Sequence, residues 1–214
     1  MAGLTADELT NGKVIGVFGG TFDPPHLGHL ILASEAAEQL GLETILWVPT
    51  RQPPHKLTRR ITPIEIRLQL LEAALAGDDR FLISRVEIDR SPPYYAVETL
   101  RLLKVQQPGV QFAYLMGGDS LHDLPNWRSP IELAAQCIFL GVYRRPNDAV
   151  NLADLESRIP GVAEKIAWIN APLIDISSSM VREKARSGGV YRYYVPEGVA
   201  RLIAHYHLYQ ENHV

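Results

Sequence analysis

The chain is poor in the residues that mark several common designs. Of 214 residues only one is cysteine, Cys137, which excludes an internal disulfide and any cysteine-cluster metal site. It lies in the apolar run QCIFL and reads as a small core residue. Neither sign of charge dominates: 21 Lys and Arg stand against 24 Asp and Glu, leaving a formal net charge of −3. Such a chain offers no global field to nucleic acid or an anionic membrane, so any polyanion must be met locally. No apolar run approaches the ~20 residues of a membrane span. The opening MAGLTADELTNG has neither the basic start nor the apolar stretch of a secretion signal. Residues 1–12 are expected to form a loose tail on a reduced, cytoplasmic protein that binds neither nucleic acid nor membrane. What the chain does have is apolar content: 46% hydrophobic residues suffice for a substantial core.

From Lys13 onward, apolar runs alternate with amphipathic stretches. KVIGVF (13–18), TILWV (44–48), FLISRVEI (81–88), VQFAYLM (110–116) and CIFLGV (137–142) predict strands. Helices are predicted over 27–40, 63–76 and about 96–106, the first two stopped by Gly41 and Gly77. Thr62, Pro63 and Glu65 predict a capping box at the second helix start. This alternation implies an α/β protein, a Rossmann-like doubly wound parallel sheet that binds ligands beyond the carboxyl ends of its strands. The final third reads as two helices, LIDISSSMVREKARSGG and VPEGVARLIAHYHLY, parted by Gly188–Gly189 and a tyrosine-rich connector. No composition shift marks a linker, so residues 13–214 are expected to form one domain with a helical extension from about 176.

Four post-strand segments carry chemistry. In GGTFDPPHLGHL (19–30), Gly19 and Gly20 end the first strand where a side chain would obstruct a ligand, and a helix start favours an anion. His26 and His29, three apart around Gly28, are placed to donate to one phosphate chain. Zinc fits less well, since no Glu lies between the histidines and no third ligand is evident. Neither GxxxxGK[ST] nor GxGxxG occurs, so a different phosphate architecture is needed. RQPPHKLTRR (51–60) gathers Arg51, His55, Lys56, Arg59 and Arg60 in an otherwise acidic chain, with Lys56 set after two rigid prolines. GGDSLHDLPNW (117–127) offers open backbone at Gly117, an acceptor for a ribose hydroxyl at Asp119 and a flat apolar face at Trp127. In ISSSMVREKARSG (176–188), serine hydroxyls, free helix N–H groups and Arg182 make a second anion cradle. A nucleophilic serine is excluded by the lack of a G-x-S-x-G context.

GGTFDPPHLGH together with ISSSMVR resembles the HxGH and ISSxxxR motifs of the nucleotidyltransferase superfamily. PPHK (53–56), PYYAVETL (93–100), LPNW (124–127), Arg145-Pro146 and YRYYVPEGV (191–199) narrow the resemblance to bacterial nicotinate-nucleotide adenylyltransferases. It implies adenylyl transfer from ATP to nicotinate mononucleotide, giving deamido-NAD and pyrophosphate in NAD biosynthesis, with Mg²⁺ carried by the ATP phosphates rather than by a protein metal site. By resemblance, His26, His29, Ser178 and Arg182 are catalytic. Gly19, Gly20, Thr21, Phe22, Gly117, Asp119, Ile176 and Ser177 join them around ATP. Lys56, Tyr95, Ala96, Asp119, Trp127 and Arg145 are expected around the mononucleotide.

One segment departs from the family pattern. Where PSYTVDTL is usual, this chain has PYYAVETL, so Tyr94, Ala96 and Glu98 replace Ser, Thr and Asp beside the expected nicotinate carboxylate. Backbone N–H groups at Ala96 would serve that carboxylate as well as threonine does; a required hydroxyl would weaken selection against the amide. PPHK and LPxW argue against the nearest rivals, pantetheine-phosphate adenylyltransferase and the cytidylyltransferases. A silent nucleotide sensor would be expected to lack a histidine of the motif or Arg182. Core packing is the simpler role for Tyr191, Tyr193 and Tyr194, and a contact within a homo-oligomer the alternative.

Overall fold

The computed structural model describes residues 14–51, 61–144 and 150–210. Six strands form one sheet: β1 (Val14–Gly20), β2 (Thr44–Pro49), β3 (Phe81–Ile83), β4 (Gln111–Gly117), β5 (Leu140–Tyr143) and β6 (Ile166–Ile169). Their order is β3-β2-β1-β4-β5-β6 with every neighbour parallel, the doubly wound arrangement expected from the alternation. Register follows from burial on both faces. Val17, Leu46, Val48, Phe112 and Val142 enter one core cluster, whereas Val14, Phe18, Ile45, Trp47 and Leu115 point the other way into a second.

The first face is covered by α3 (Ala96–Gln106), α4 (Gly118–Asp123), α5 (Pro130–Gln136), α6 (Leu152–Arg158) and α7 (Val162–Lys165). The second is covered chiefly by α1 (Leu27–Gln39) and α2 (Ile64–Leu75). Because α2 is apolar on two sides, Leu71 and Leu75 face the sheet while Leu70 and Ala74 meet α8 (Ser178–Arg186) and α9 (Glu197–His205). The C-terminal helices thereby dock on α2 through a third cluster that includes Val181, Val199 and Ile203. Tyr191 and Tyr194 pack against that cluster, whereas Tyr193 is exposed. Among the described residues no helix is long and apolar enough to cross a membrane.

Four local expectations are corrected. FLISRVEI is a strand only over Phe81–Ile83; Ser84 gives its N–H to the Trp47 carbonyl, and the chain then turns back on Arg85. Val86, Glu87 and Ile88 are buried in succession, which a two-residue strand period does not allow. The fifth strand begins at Leu140 rather than at Cys137, although Ile138 already donates to the Phe112 carbonyl. The sixth strand, IAWI, went unread because it is four residues long and half-exposed at the sheet edge. The capping box at α2 does not form: Pro63 is the N-cap, and the Thr62 N–H is given to the Asp23 carboxylate instead.

Candidate active site

In a sheet of this order the crossover lies between β1 and β4, so the loops leaving Gly20 and Gly117 open a crevice at their carboxyl ends. Two cavities occupy that edge and share Thr21. The first, about 390 Å³, is lined on one side by Gly19, Gly20 and Thr50, and on the other by Tyr95, Ala96, Tyr114 and Trp127. The second, about 170 Å³, is lined by Thr21, Phe22, Asp23, His29, Ser178 and Arg182.

The glycines near β1 make room for side chains rather than only for a ligand. A Cβ on Gly20 would lie 2.7 Å from the Phe22 ring, and one on Gly19 would lie 3.1 Å from the Tyr114 hydroxyl. Phe22 holds a left-handed φ of 48°, uncommon for a bulky residue, and its ring is fixed edge-on against Phe18 and His29. Gly28 likewise clears space for His26, whose Nδ1 would be 3.0 Å from a Cβ there.

His26 and His29 come together at the start of α1. His26 is the N-cap of α1 and His29 its third residue, and their rings stack with centroids 3.6 Å apart. The His26 backbone N–H donates to His29 Nδ1 at 3.2 Å. A neutral His29 then carries its proton on Nε2. His29 lines the smaller cavity; His26 lies behind it, buried, with Nδ1 unpartnered. Burial lowers the His26 pKa to about 4, and burial with the neighbouring His26 holds His29 well below its ordinary range. Both imidazoles are therefore neutral donors near pH 7.

Across the smaller cavity stands the N-terminus of α8, capped by the Ser177 hydroxyl, which accepts from Met180 N–H. The Ser178 hydroxyl donates to the Pro24 carbonyl at 2.9 Å, and Arg182 donates to the Asp23 carbonyl at 2.6 Å and to Ser179 at 2.9 Å. Serine and arginine thus brace the histidine loop from the opposite wall. Two helix N-termini, α1 and α8, meet there; Leu27 N–H is given to the Tyr194 carbonyl and Met180 N–H to Ser177, and the dipoles of both helices favour a polyanion.

In the larger cavity Trp127 meets Tyr114 edge-on at 6.1 Å, and the N-terminus of α3 opens beside it with Tyr95 as N-cap. Ala96 is on the wall, so the departure from threonine falls inside the cavity. Glu98 is not: it pairs with Arg101 on the surface. Asp119 is exposed and Gly117 lies apart; neither lines either cavity, and a Cβ on Gly117 would collide with the Asp119 carboxylate. Ile176 packs against the C-terminal cluster, its carbonyl 3.6 Å from the Gly28 Cβ position. Lys56, with most of the basic segment, and Arg145 lie outside the described residues.

Three residues of the site escaped sequence reasoning. Arg67, 1% exposed on α2, donates to the carbonyls of Thr62 (2.9 Å), Thr21, Thr50 and Arg51 (2.8 Å each), holding the ends of three loops. Its signal was a lone charge on the apolar stripe of Ile64, Leu71 and Ala74. Tyr209 donates to Asp23 Oδ1 at 2.9 Å, and burial beside that carboxylate drives its pKa upward. Glu87 lines the larger cavity from beneath. Among the described residues no three His, Cys, Asp or Glu gather as a metal-ligand set, and both Asp23 carboxylate oxygens are already engaged.

Comparison with known proteins agrees with this geometry. A family model described as cytidylyltransferase-like matches residues 17–184. A protein of Thermomicrobium roseum designated a probable nicotinate-nucleotide adenylyltransferase is 43% identical over 196 residues, 92% of this chain and 91% of its own. One of Geobacillus thermodenitrificans with the same designation is 41% identical over 195 residues, 91% of this chain and 85% of its own. Among solved structures, the nicotinic acid mononucleotide adenylyltransferase of Plasmodium falciparum complexed with NaAD superposes with a TM-score of 0.76 at 19% identity, over 92% of this chain and 97% of that one. Fold order, paired anion cradles and relatives at this level of identity converge: the chain belongs to the cytidylyltransferase-like family and, within it, to the nicotinate-nucleotide adenylyltransferases.

Proposed function

We infer that the protein transfers the adenylyl group of ATP to nicotinate mononucleotide, releasing pyrophosphate. The observation that carries this reading is the pair of cavities joined at Thr21: one walled by neutral imidazole, serine, arginine and two helix N-termini, the other by aromatic rings and the N-terminus of α3. The first suits a triphosphate and the second a pyridine mononucleotide.

The acceptor's phosphate oxygen attacks the α-phosphorus of ATP. A P–O bond forms there as the bond to the β-phosphate breaks, and negative charge grows on the departing pyrophosphate. The nucleophile is already ionised, so neither a covalent intermediate nor a strong base is required; positioning and charge stabilisation suffice. His29 lines the cavity and, with Nδ1 accepting from the His26 backbone, has its Nε2–H to donate to that growing charge, while His26 stacks against the ring and fixes it. Ser178 and Arg182, which hold the Asp23–Pro24 carbonyls, keep the donor loop at its distance from α8 and present the guanidinium to the phosphates. Trp127 offers a face to the pyridine ring, and the free N–H groups at Ala96 meet its carboxylate, which needs no hydroxyl at that position. Lys56 and Arg145 complete the anion contacts of the acceptor, and Asp119 a ribose contact. Mg²⁺ belongs to this reading as a hard cation held by phosphate oxygens and water, where it offsets polyphosphate charge.

Pyrophosphate release from ATP and Mg²⁺ should be measured with nicotinate mononucleotide, nicotinamide mononucleotide and phosphopantetheine as acceptors. Strong preference for the nicotinate form is expected. Comparable use of the amide would move the enzyme to dual specificity, and silence with all three would point to a nucleotide-binding sensor or to another acceptor.

A further inference from the structure

Among the side chains of the larger cavity that this chemistry does not use is a buried carboxyl group. Glu87, in the turn after β3, is 6% exposed yet lines the cavity with Tyr95, Tyr114 and Trp127. Its Oε1 lies 2.6 Å from Thr99 Oγ1, and its Oε2 is buried without a hydrogen-bond partner. Thr99 Oγ1 is also 3.2 Å from the Tyr95 carbonyl and 3.3 Å from Arg90 Nη2. Arg90 in turn donates to the Pro93 carbonyl at 2.6 Å and lies over the Tyr94 ring. The cluster therefore ties the whole Pro93–Tyr95 wall to one carboxyl group.

The hydrogen count favours the protonated form. A threonine hydroxyl has one hydrogen and two lone pairs. With Glu87 ionised, that hydrogen serves either Oε1 or the Tyr95 carbonyl and the Thr50 hydroxyl is a second donor to the carboxylate, yet Oε2 keeps no hydrogen-bond partner and is a charged oxygen in the interior, an expensive arrangement. With Glu87 protonated, Oε1–H donates to Thr99, Thr99 donates to Tyr95, and Arg90 fills the remaining lone pair. Oε2 is then an uncharged carbonyl oxygen. The groups around Glu87 are Arg90 on its own segment, Thr50 at the end of β2, Tyr114 on β4, Thr99 and Tyr95 at α3, and Asp123 and Arg128 across the cavity. Burial raises the Glu87 pKa; the hydroxyls of Thr99 and Thr50 and the Arg90 charge oppose it less strongly. Burial likewise keeps the Tyr114 phenol neutral.

We propose that Glu87 is a positioning residue that works as a neutral acid: through Thr99 it fixes the Tyr95–Ala96 edge of the acceptor cavity, and by carrying no charge it leaves that cavity open to a ring carboxylate. This rests on the acceptor reading above and adds the device that makes an acidic residue compatible with an acidic ligand. An ionised Glu87 would set like charges together in the cavity and favour an amide.

The infrared difference spectrum between wild type and Glu87→Gln at pH 7, without substrate, should contain the C=O stretch of a protonated carboxyl lost in the variant. Glu87→Ala should raise KM for nicotinate mononucleotide by about tenfold, the scale of one lost buried hydrogen bond, with a much smaller effect on kcat. Glu87→Gln should recover most of that rise, because the amide reproduces the neutral, donating side chain. Absence of the protonated band overturns the proposal, as does equal loss in the Ala and Gln variants. Should nicotinate mononucleotide prove not to be an acceptor, the reading of the reaction fails, whereas the band still reports the Glu87 proton.

Discussion

Arg67→Met removes a guanidinium while keeping most of its apolar length, and the structure sets the size of the effect. Four hydrogen bonds of 2.8–2.9 Å run from Arg67 to the carbonyls of Thr21, Thr50, Arg51 and Thr62. Bonds from a charged donor are worth about 1.5 kcal/mol each or more, or roughly 6 kcal/mol together. Part of this offsets the cost of burying the guanidinium, which methionine does not incur, so the net loss should be about 3–5 kcal/mol. For a chain of this size that lowers Tm by about 10–15 °C. Thr21 borders both cavities, so the surviving folded enzyme should show raised KM for ATP and acceptor together. Urea denaturation followed by fluorescence and circular dichroism, with KM measured well below the midpoint, tests both parts. Arg67→Lys keeps the charge but lacks the planar fork and should recover less than half the loss. A loss under about 1 kcal/mol, within the worth of a single bond, would refute the reasoning, as would full recovery by lysine.

Two more outcomes follow from the histidine pair. His29→Ala should leave ATP affinity within several-fold and reduce turnover by ~10² or more, the scale of losing a transition-state donor; equilibrium binding with single-turnover kinetics separates the two, and unchanged turnover removes His29 from its role. His26 has a pKa of about 4 when folded against 6.5 ordinarily, so between those values the unfolded chain binds more protons and stability is lost as pH falls from 6.5 towards 4. The loss attributable to this group is about 3 kcal/mol. His26→Gln should flatten that part of the stability profile measured in urea, and an unchanged slope would show that His26 is not the titrating group.

Sequence reading succeeded where one residue type serves one local purpose. Alternating apolar runs mark five of the six strands because a parallel sheet buried on both faces needs them; Trp127, Tyr95, Ala96, His29, Ser178 and Arg182, picked out by motif, are among the residues that line the two cavities. It failed where a side chain answers to partners far along the chain. Arg67 reaches back 46 residues to Thr21, and Tyr209 reaches back 186 to Asp23. Glu87 looked like an alternating strand residue, yet its environment comes from Thr99, Tyr114 and Thr50 on three other elements. The glycines were legible as places needing room, but what fills the room, the rings of Phe22 and His26 and the Tyr114 hydroxyl, depends on folds of the loop that no spacing encodes. Asp119 is legible only by its post-strand position: the first turn of α4 leaves it exposed at the rim, outside the linings of both cavities.

Asp23 bears on the order in which the protein comes into being. Its carboxylate accepts from Thr62 and Tyr209, and its carbonyl accepts from Arg182, so the loop that carries the histidines leans on segments 39, 159 and 186 positions downstream. A chain emerging from the ribosome makes its β1–α1 unit first, but that loop lacks its last support until the final helix and the turn beyond it have been synthesised and docked. The sheet can precede the site. A nascent chain therefore carries the β1–α1 loop before it has the partners that hold Asp23, and the loop gains its full set of hydrogen bonds only with segments made much later.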